Sequence, residues 1–152
     1  MVEPRKIESQ LCFGIYNTSK KFSRYYQIVL SQFNLTYPQY ITMLVLWEHA
    51  PMTVRELGSY LDLDSGTLTP LLKRLEKQGW VTRTRSHKDE RVVIVDTTDY
   101  AKEQRDKVYE HVNQCFSVLD MSQEDIQKCL KMVNAVGDRL DNVSEQKLKD
   151  VE

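Results

Sequence analysis

The order of residue patterns in the middle of the chain constrains the fold more than any other feature. Apolar residues recur at helical spacing over 53–61, a tight turn follows, and the same spacing returns over 65–78. Two β-prone stretches come next, 80–85 and 91–96, separated by a short polar loop. Two short helices joined by a tight turn and followed by a hairpin are typical of a winged helix-turn-helix, so this head is predicted.

Local signals define the ends of the two short helices. A Thr-x-x-Glu capping box beginning at Thr53 starts the first one. Either Asp64 or Ser65 caps the second, and Gly79 is suited to follow its end, because glycine readily adopts the left-handed conformation needed there. Pro70 conflicts with this assignment, since proline removes a hydrogen bond inside a helix; it either bends the helix or marks a later start.

Helical patterns also flank this head on both sides. Residues 7–33 predict one long helix and 39–49 a short apolar one. Helices are predicted again over 98–116 and 122–140, and a charged, frayed tail follows at 142–152. Five glycines and four prolines are few, which favours helices. The predicted fold class is therefore mainly α with a small β-hairpin wing, an α+β fold without an interdomain linker.

Positive charge is concentrated in the head, although the whole chain carries a net charge of −1. Between residues 64 and 91, seven basic residues outnumber four acidic ones, which leaves this segment at +3 and the rest of the chain at −4. A locally basic surface in a mildly acidic chain is what a compact reader of nucleic acid requires, because the distribution of charge matters more than its total.

The second predicted helix carries short hydroxyl side chains at its start and basic side chains further along. Ser65, Thr67 and Thr69 are short enough to approach base edges in a major groove. Lys73 and Arg74 follow on the same helix, where long cationic side chains can reach phosphates. These five residues are the candidate DNA contacts of the helix.

The hairpin supplies a second group of candidate DNA contacts. Arg91, near the tip of a narrow wing, suits the minor groove, where negative potential attracts arginine. Asp89 is placed to orient it through a charge-assisted pair. Arg85 and Lys88 add positive charge to the same hairpin. A solvated charged turn is the alternative, but a hairpin that follows a helix-turn-helix at this spacing favours a wing.

Several classes of function lack the residues they need. Cys12, Cys115 and Cys129 are odd in number and lack zinc-site spacing, so neither a metal centre nor a disulfide framework is predicted. The chain has no glycine-rich phosphate loop and no His-Glu-x-x-His motif, so no cofactor and no enzyme activity are expected. Without a signal-peptide core or an apolar run near about 18 residues, the sequence predicts a cytoplasmic protein with no membrane partner.

Longer motifs resemble those of one family. The sequence Leu-Asp-Ser-Gly-Thr-Leu-Thr-Pro-Leu-Leu-Lys-Arg-Leu-Glu at 63–76 resembles the recognition helix of MarR-type transcription regulators, particularly the organic hydroperoxide-sensing (OhrR-like) branch. Asp-Glu-Arg at 89–91, with Asp-Thr-Thr at 96–98, is similar to the wing of that family. Leu-Cys-Phe at 11–13, with Leu-Thr-Tyr-Pro-Gln-Tyr at 35–40, resembles the sensing region of the branch. Outside roughly residues 10–99 only the helical pattern is similar.

The resemblance implies how the molecule assembles and what it binds. It implies a single MarR-type domain over 1–152, with the winged helix-turn-helix at about 38–97 and dimerisation helices at about 7–33 and 98–142. Members form homodimers that place two heads in successive major grooves of double-stranded DNA and read pseudo-palindromic operators. They usually repress transcription and sometimes activate it.

The resemblance also implies redox sensing. In this branch the cysteine that matches Cys12 is oxidised by oxidants such as organic hydroperoxides to a sulfenic acid. Tyr26 and Tyr37 match two tyrosines near the reactive thiol. Some members carry a resolving cysteine near the C-terminal helices, a role open to Cys115, and others use a small-molecule thiol; Cys129 is expected to pack on the last helix.

Helix geometry constrains where such a sensor can form. Fourteen residues separate Cys12 from Tyr26 on one predicted helix, which is about 21 Å of helical rise. The two side chains therefore cannot touch within one straight helix. Contact between them requires a partner subunit whose first helix runs antiparallel.

Three other functions remain compatible with these residues. A MarR-type regulator could respond instead to a small aromatic ligand bound between the head and the dimerisation helices. A thiol peroxidase using Cys12 is a second option, although no basic partner adjoins that cysteine in the sequence. A helical interaction module is a third, and it leaves the hydroxyl residues of 65–69 and the basic wing unexplained.

Overall fold

The computed structural model describes residues 4–151, which form a mainly helical fold with one small antiparallel sheet, as predicted. In chain order the elements are α1 (Leu11–Val29), α2 (Tyr37–His49), β1 (Met52–Thr53), α3 (Val54–Leu61), α4 (Ser65–Lys77), β2 (Val81–Arg85), β3 (Val93–Thr97), α5 (Asp99–Ser117), α6 (Gln123–Asp141) and α7 (Glu145–Lys149). Two short 3₁₀ segments, Ile7–Ser9 and Ser31–Phe33, flank α1.

The chain divides into two compact units, the first ending at Asn113 and the second beginning at Gln114. The first unit contains α1 to α4, the sheet and most of α5, and it holds the buried apolar core. In the second unit, α6 and α7 bury none of their described side chains. No helix within residues 4–151 is both long and apolar enough to cross a membrane.

The wing is a three-stranded antiparallel sheet in which β3 lies between β1 and β2. The hairpin pairs Arg85 with Val93, and β1 pairs Met52 with Val95. Sequence patterns missed β1, because a strand of two residues is too short to show alternation. Since α3 begins directly after β1, this short strand attaches the start of the helix-turn-helix to the wing.

The predicted helix ends of the head are confirmed. The Thr53 amide donates to Glu56 Oε2 at 2.7 Å, and the Glu56 amide donates to Thr53 Oγ1 at 3.1 Å, which completes the capping box. Asp64, rather than Ser65, caps α4, since its Oδ1 accepts from the Thr67 amide at 2.8 Å. Gly79 follows α4 with φ of +83°, the left-handed conformation expected after a helix.

The C-terminal helices start where the sequence predicts, but the tail does not remain frayed throughout. Thr98 Oγ1 accepts from the Ala101 amide at 3.1 Å before α5, and Ser122 Oγ accepts from the Asp125 amide at 3.1 Å before α6. The tail expected to fray forms α7, and the hydroxyl of Ser144 caps its first turn. Local capping was therefore sufficient for one further helical turn.

The single helix predicted over 7–33 is wrong at both ends. Gln10 is extended, with φ of −89° and ψ of 120°, and it separates the first 3₁₀ segment from α1. At the other end α1 stops at Val29, and Asn34 adopts a left-handed φ of 53° after the second 3₁₀ segment. Apolar spacing identifies the face of a helix but does not detect such local changes of the backbone.

Pro70 lies inside α4, so the alternative of a later helix start is wrong. Its missing amide leaves the carbonyl of Gly66, four residues earlier, without the usual helical donor. Gly66 is exposed, so water can hydrogen-bond to that carbonyl. The proline is therefore tolerated near the start of the helix, on its solvent-facing side.

The leucine face of α4 anchors the head. Leu68, Leu72 and Leu75 are each fully buried. Leu57 of α3 is equally buried, and Trp80 at the base of the wing is 1% exposed. Each such side chain removed from water stabilises the fold by about 1.5–3 kcal/mol, so their burial decides which face of α4 remains outside.

The turn between α3 and α4 requires glycine at position 58. A β-carbon there would lie 2.6 Å from the Leu63 carbonyl oxygen and 3.3 Å from Leu68 Cδ1. We expect Gly58→Ala to lower the free energy of unfolding by about 1–3 kcal/mol, which is a typical cost of overpacking. Urea denaturation measures this free energy. Gly14→Ala is the matched control, because its β-carbon would meet no atom within 4 Å. Equal stability of Gly58→Ala and the wild type would contradict this close approach.

Candidate functional site

The first two turns of α4 present hydroxyl groups on the surface of the head. Ser65 and Thr67 are exposed, and Thr69 is half-buried. Lys73 and Arg74 are exposed further along the same helix. Because the leucine face is turned inward, these polar residues share the outward side of α4.

A groove lies between the start of α4 and the wing. It encloses about 1100 Å³ and is lined by α3, the turn before α4, and β3. Of the residues proposed from the sequence, Ser65, Thr69 and Arg91 line this groove. Arg55 of α3 also lines it, and sequence reasoning missed this residue. Its only signal in the sequence was a basic side chain in the first turn of α3.

Hydrogen bonds within the wing order its tip. The Arg91 amide and its Nε donate to Asp89 Oδ1 at 3.0 and 3.3 Å, so the predicted pair of these two side chains is present. The Arg91 side chain nevertheless remains 92% exposed. Arg85 Nη1 donates to the Glu90 carbonyl at 2.7 Å. Lys88 is exposed, and its amide donates to Ser86 Oγ.

An ion pair joins the recognition helix to the base of the wing. Arg83 Nε and Nη2 donate to Glu76 Oε2 at 3.1 and 2.7 Å. This hydrogen bond holds the pKa of the Glu76 carboxyl below its ordinary value. The pair went unpredicted, because its partners lie on different elements. It connects α4 to β2 and limits rotation of the wing about the helix.

Five aromatic rings cluster where α1 meets α2. The Tyr26 ring lies 4.5 Å from the Tyr37 ring and 6.0 Å from the Tyr40 ring, measured between centroids. The Tyr25 ring lies 5.0 Å from the Tyr26 ring, and the Phe22 ring lies 6.4 Å from each of them. The structure therefore brings together the two tyrosines named from the sequence, and it adds Tyr40, which is 6% exposed.

Burial raises the pKa values of two tyrosines in the cluster. Burial, and then the neighbouring Tyr37 and Tyr25, raise the pKa of Tyr26 to about 12. Burial, and then Tyr26 and two further tyrosines, raise the pKa of Tyr40 to about 12. At neutral pH both hydroxyls carry their protons, as an ordinary tyrosine does, and can donate hydrogen bonds.

The three cysteines lie on three different helices. Cys12 is exposed in the first turn of α1, the same helix that carries Tyr26 at its other end. Cys115 is half-buried on α5. Cys129 on α6 is exposed, so its expected packing is not found among residues 4–151. Among residues 4–151, no group of three or more His, Cys, Asp or Glu side chains could hold a metal ion.

Comparison with known proteins places this fold among transcriptional regulators. Residues 24–110 match the family of transcriptional regulators SarA/Rot. The organic hydroperoxide resistance transcriptional regulator of Bacillus subtilis (strain 168) is 42% identical over 123 residues, covering 81% of this chain and 84% of that protein.

Two solved structures of AbfR, a protein of Staphylococcus epidermidis, extend the comparison. Reduced AbfR bound to DNA has a TM-score of 0.77 and 38% identity, covering 88% of this chain and 94% of that one. Disulfide-formed AbfR has a TM-score of 0.65 and 42% identity, covering 84% and 91%.

The two short helices, the wing and these matches define a winged-helix transcriptional regulator. The chain belongs to the SarA/Rot family of transcriptional regulators. The MarR-type resemblance seen in its motifs is confirmed at the level of the family and the fold.

The raised pKa values of Tyr26 and Tyr40 link folding to alkaline pH. Between about pH 10, where an unfolded tyrosine titrates, and about pH 12, where these two titrate, the folded chain binds more protons than the unfolded one. Their contribution to stability is complete below the unfolded pKa and is lost as the pH rises through the folded pKa. We expect the free energy of unfolding, from urea titrations, to fall across this range.

Phenylalanine variants test this alkaline dependence. Tyr26→Phe and Tyr40→Phe should each flatten the decline, because the substituted ring no longer titrates. Tyr60→Phe serves as control, since Tyr60 is 58% exposed and lies outside the cluster. A decline of equal steepness in all variants would contradict the role of burial.

Proposed function

We propose that this chain is a DNA-binding transcription regulator whose affinity for its operator changes when Cys12 is oxidised. The observation that carries the proposal is the outward face of α4, with its hydroxyl and basic residues, beside the exposed Arg91 of the wing. Its similarity to a reduced protein bound to DNA supports the binding function. Its similarity to an organic hydroperoxide resistance regulator supports the oxidant input.

In this proposal, α4 reads the major groove of double-stranded DNA. Ser65 and Thr67 approach base edges, and Thr69 supports them from the side of the groove. Lys73 and Arg74 bind phosphates, which positions the helix but does not read sequence. Because α4 is buried on its leucine face, only this polar face is available to the duplex.

The wing reads the neighbouring minor groove. Asp89 orients the Arg91 guanidinium through the contact described above, and the side chain remains exposed enough to enter the groove. Lys88 at the tip supplies a phosphate contact. Arg85 is engaged by the Glu90 carbonyl, so its larger role is to hold the wing tip in shape while adding positive charge.

The protein acts as a homodimer on a pseudo-palindromic operator. Two heads related by a two-fold axis require two half-sites related in the same way. The dimer also completes the sensor. Cys12 and Tyr26 lie near opposite ends of α1, about 21 Å apart along its axis, so the thiol of one subunit faces Tyr26 and Tyr37 of the partner subunit.

Oxidation begins with the Cys12 thiolate. Its sulfur attacks an organic hydroperoxide: the O–O bond breaks, a sulfur–oxygen bond forms, and an alcohol leaves once it takes up a proton. The hydroxyls of Tyr26 and Tyr37 donate hydrogen bonds to the peroxide and to the sulfenate oxygen. The thiol of the partner subunit's Cys115 then attacks the sulfur of the sulfenic acid. This step forms a disulfide between the two subunits and releases water. The resulting movement of the helices changes the spacing of the two heads.

This chemistry is sensing rather than catalysis. Each Cys12 reacts once, and a further reductant is needed before it reacts again. The proposal therefore makes the chain a regulator and not a thiol peroxidase, in agreement with the description of its curated relative as a transcriptional regulator.

Arg91 provides a test of DNA binding. We expect Arg91→Ala to weaken binding of the reduced protein by about tenfold or more and to lower the salt dependence, because one charged contact is lost. Fluorescence anisotropy with a duplex selected from a random pool by the wild-type protein measures both. Arg105→Ala on α5 is the matched control. If both variants bind as tightly as the wild type, the wing does not contact DNA.

The cysteines provide a test of the oxidant response. After treatment with cumene hydroperoxide, wild-type protein should lose most of its affinity for the selected duplex, and Cys12→Ser should keep it. On non-reducing gels, the oxidised wild type should give a dimer-sized band that is absent in Cys115→Ser. Cys129→Ser is the control and should behave as the wild type. Release of DNA from oxidised Cys12→Ser would refute Cys12 as the sensor.

A further inference from the structure

A chain of side-chain hydrogen bonds joins the start of α2 to the end of α4. Gln39 Nε2 donates to Gln78 Oε1 at 3.1 Å, and Gln78 Nε2 donates to the Asn34 carbonyl at 2.9 Å. We call Gln39, Gln78 and Asn34 the amide bridge. It spans 39 residues of sequence between the two glutamines and is not needed to form either helix.

The backbone fixes the direction of every hydrogen bond in the amide bridge. Gln39 Oε1 accepts from the Thr36 amide at 2.9 Å, as part of the capping box that starts α2. Its amide nitrogen must therefore point away and donate to Gln78. Gln78 accepts that bond with its oxygen, which leaves its nitrogen to donate to Asn34. Since Gln39 is 4% exposed, water cannot easily replace these partners.

One end of the amide bridge lies on the helical turn that carries a proposed sensor tyrosine. Tyr37 is the first residue of α2, two residues before Gln39, and its ring packs 4.5 Å from Tyr26. The capping box makes this turn rigid, so displacement of Tyr37 also displaces Gln39. Tyr40, the residue after Gln39, is buried against Tyr26. It connects the first turn of α2 to α1.

The other end lies at the end of the recognition helix. Gln78 is the C-cap of α4, and its amide donates to the Arg74 carbonyl. The left-handed Gly79 follows directly. A pull on the Gln78 side chain therefore acts on the last turn of α4.

We propose that Gln78 is a positioning residue that transmits the state of the tyrosine cluster to the recognition helix. The proposal rests on the proposed redox function, and it adds the route within one subunit by which the tyrosine cluster acts on α4. Oxidation of the partner subunit's Cys12 moves Tyr37, the first turn of α2 carries Gln39 with it, and Gln78 then tilts α4. A hydrogen bond weakens steeply with distance and angle, so Gln78 follows a small displacement of Gln39 in order to keep its partner.

A leucine variant separates transmission from sensing. Gln78→Leu has a similar size and removes both hydrogen bonds. Reduced and cumene hydroperoxide-treated proteins are titrated with the duplex selected by the wild type, and the rate of Cys12 oxidation is followed by loss of free thiol. We expect the ratio of oxidised to reduced Kd to fall by about 2- to 30-fold, the range found along coupling networks. The oxidation rate should stay within twofold of the wild type.

Matched variants exclude a general loss of stability. Gln104→Leu changes a half-buried glutamine of α5 outside the amide bridge and should keep the wild-type ratio. Gln78→Glu keeps the oxygen that accepts from Gln39 and loses the nitrogen that donates to Asn34. It should also lower the ratio of oxidised to reduced Kd. This variant replaces Gln78→Leu in the test if Gln78→Leu does not fold. Ratios within twofold of the wild type for the Gln78 variants, or an equal fall in Gln104→Leu, would overturn the proposal.

Hydrogen exchange gives a readout without DNA. In the wild type, oxidation should speed exchange of the amides of residues 74–80, and in Gln78→Leu the reduced and oxidised proteins should exchange alike there. If wild-type protein does not lose DNA on oxidation, the proposed function fails. If wild-type protein does lose DNA on oxidation, but oxidation alters exchange at residues 74–80 equally in the wild type and in Gln78→Leu, the proposed function stands. In that case only the proposed role of Gln78 is refuted.

Discussion

Burial of the leucine face of α4 is the interaction on which the head depends. Leu68, Leu72 and Leu75 are fully enclosed, and this determines the rotation of the helix about its own axis. The hydroxyl residues near its start and the cations further along are then left on the outside. The close approach at Gly58, where a β-carbon would lie 2.6 Å from the Leu63 carbonyl oxygen, holds α3 against the same face. Hydrophobic packing thus selects the surface that is offered to DNA.

Once α4 is oriented, two polar contacts far apart in sequence decide what moves with it. The Arg83–Glu76 pair joins it to β2, and the Gln39–Gln78 contact joins its end to the start of α2. The Arg83–Glu76 pair holds α4 and the wing together, so that they form one continuous surface. The second connects that surface to the tyrosine cluster. A charged pair tolerates some displacement, whereas the neutral amides depend on close alignment, so the second contact is the better reporter of a small shift.

The location of the proposed sensor follows from the length of α1. A helix of 19 residues separates Cys12 from Tyr26 by too great a distance for contact within the chain. The tyrosine cluster is complete in one subunit, while the thiol that it serves comes from the other. In the proposed mechanism, dimerisation is therefore part of the chemistry as well as of operator recognition.

The sequence by itself determined the features that depend on neighbouring residues. The capping box at Thr53 and the left-handed Gly79 were predictable, and the cap of α4 was narrowed to Asp64 or Ser65, because each feature rests on contacts within three or four residues. The two-residue β1, the break at Gln10 and the groove residue Arg55 were not. Nor were the Arg83–Glu76 and Gln39–Gln78 contacts, because packing alone brings their partners together. The helices and the wing could therefore be predicted from patterns of nearby residues. How these elements are coupled was decided by the tertiary structure, because packing brings together residues that are far apart in sequence.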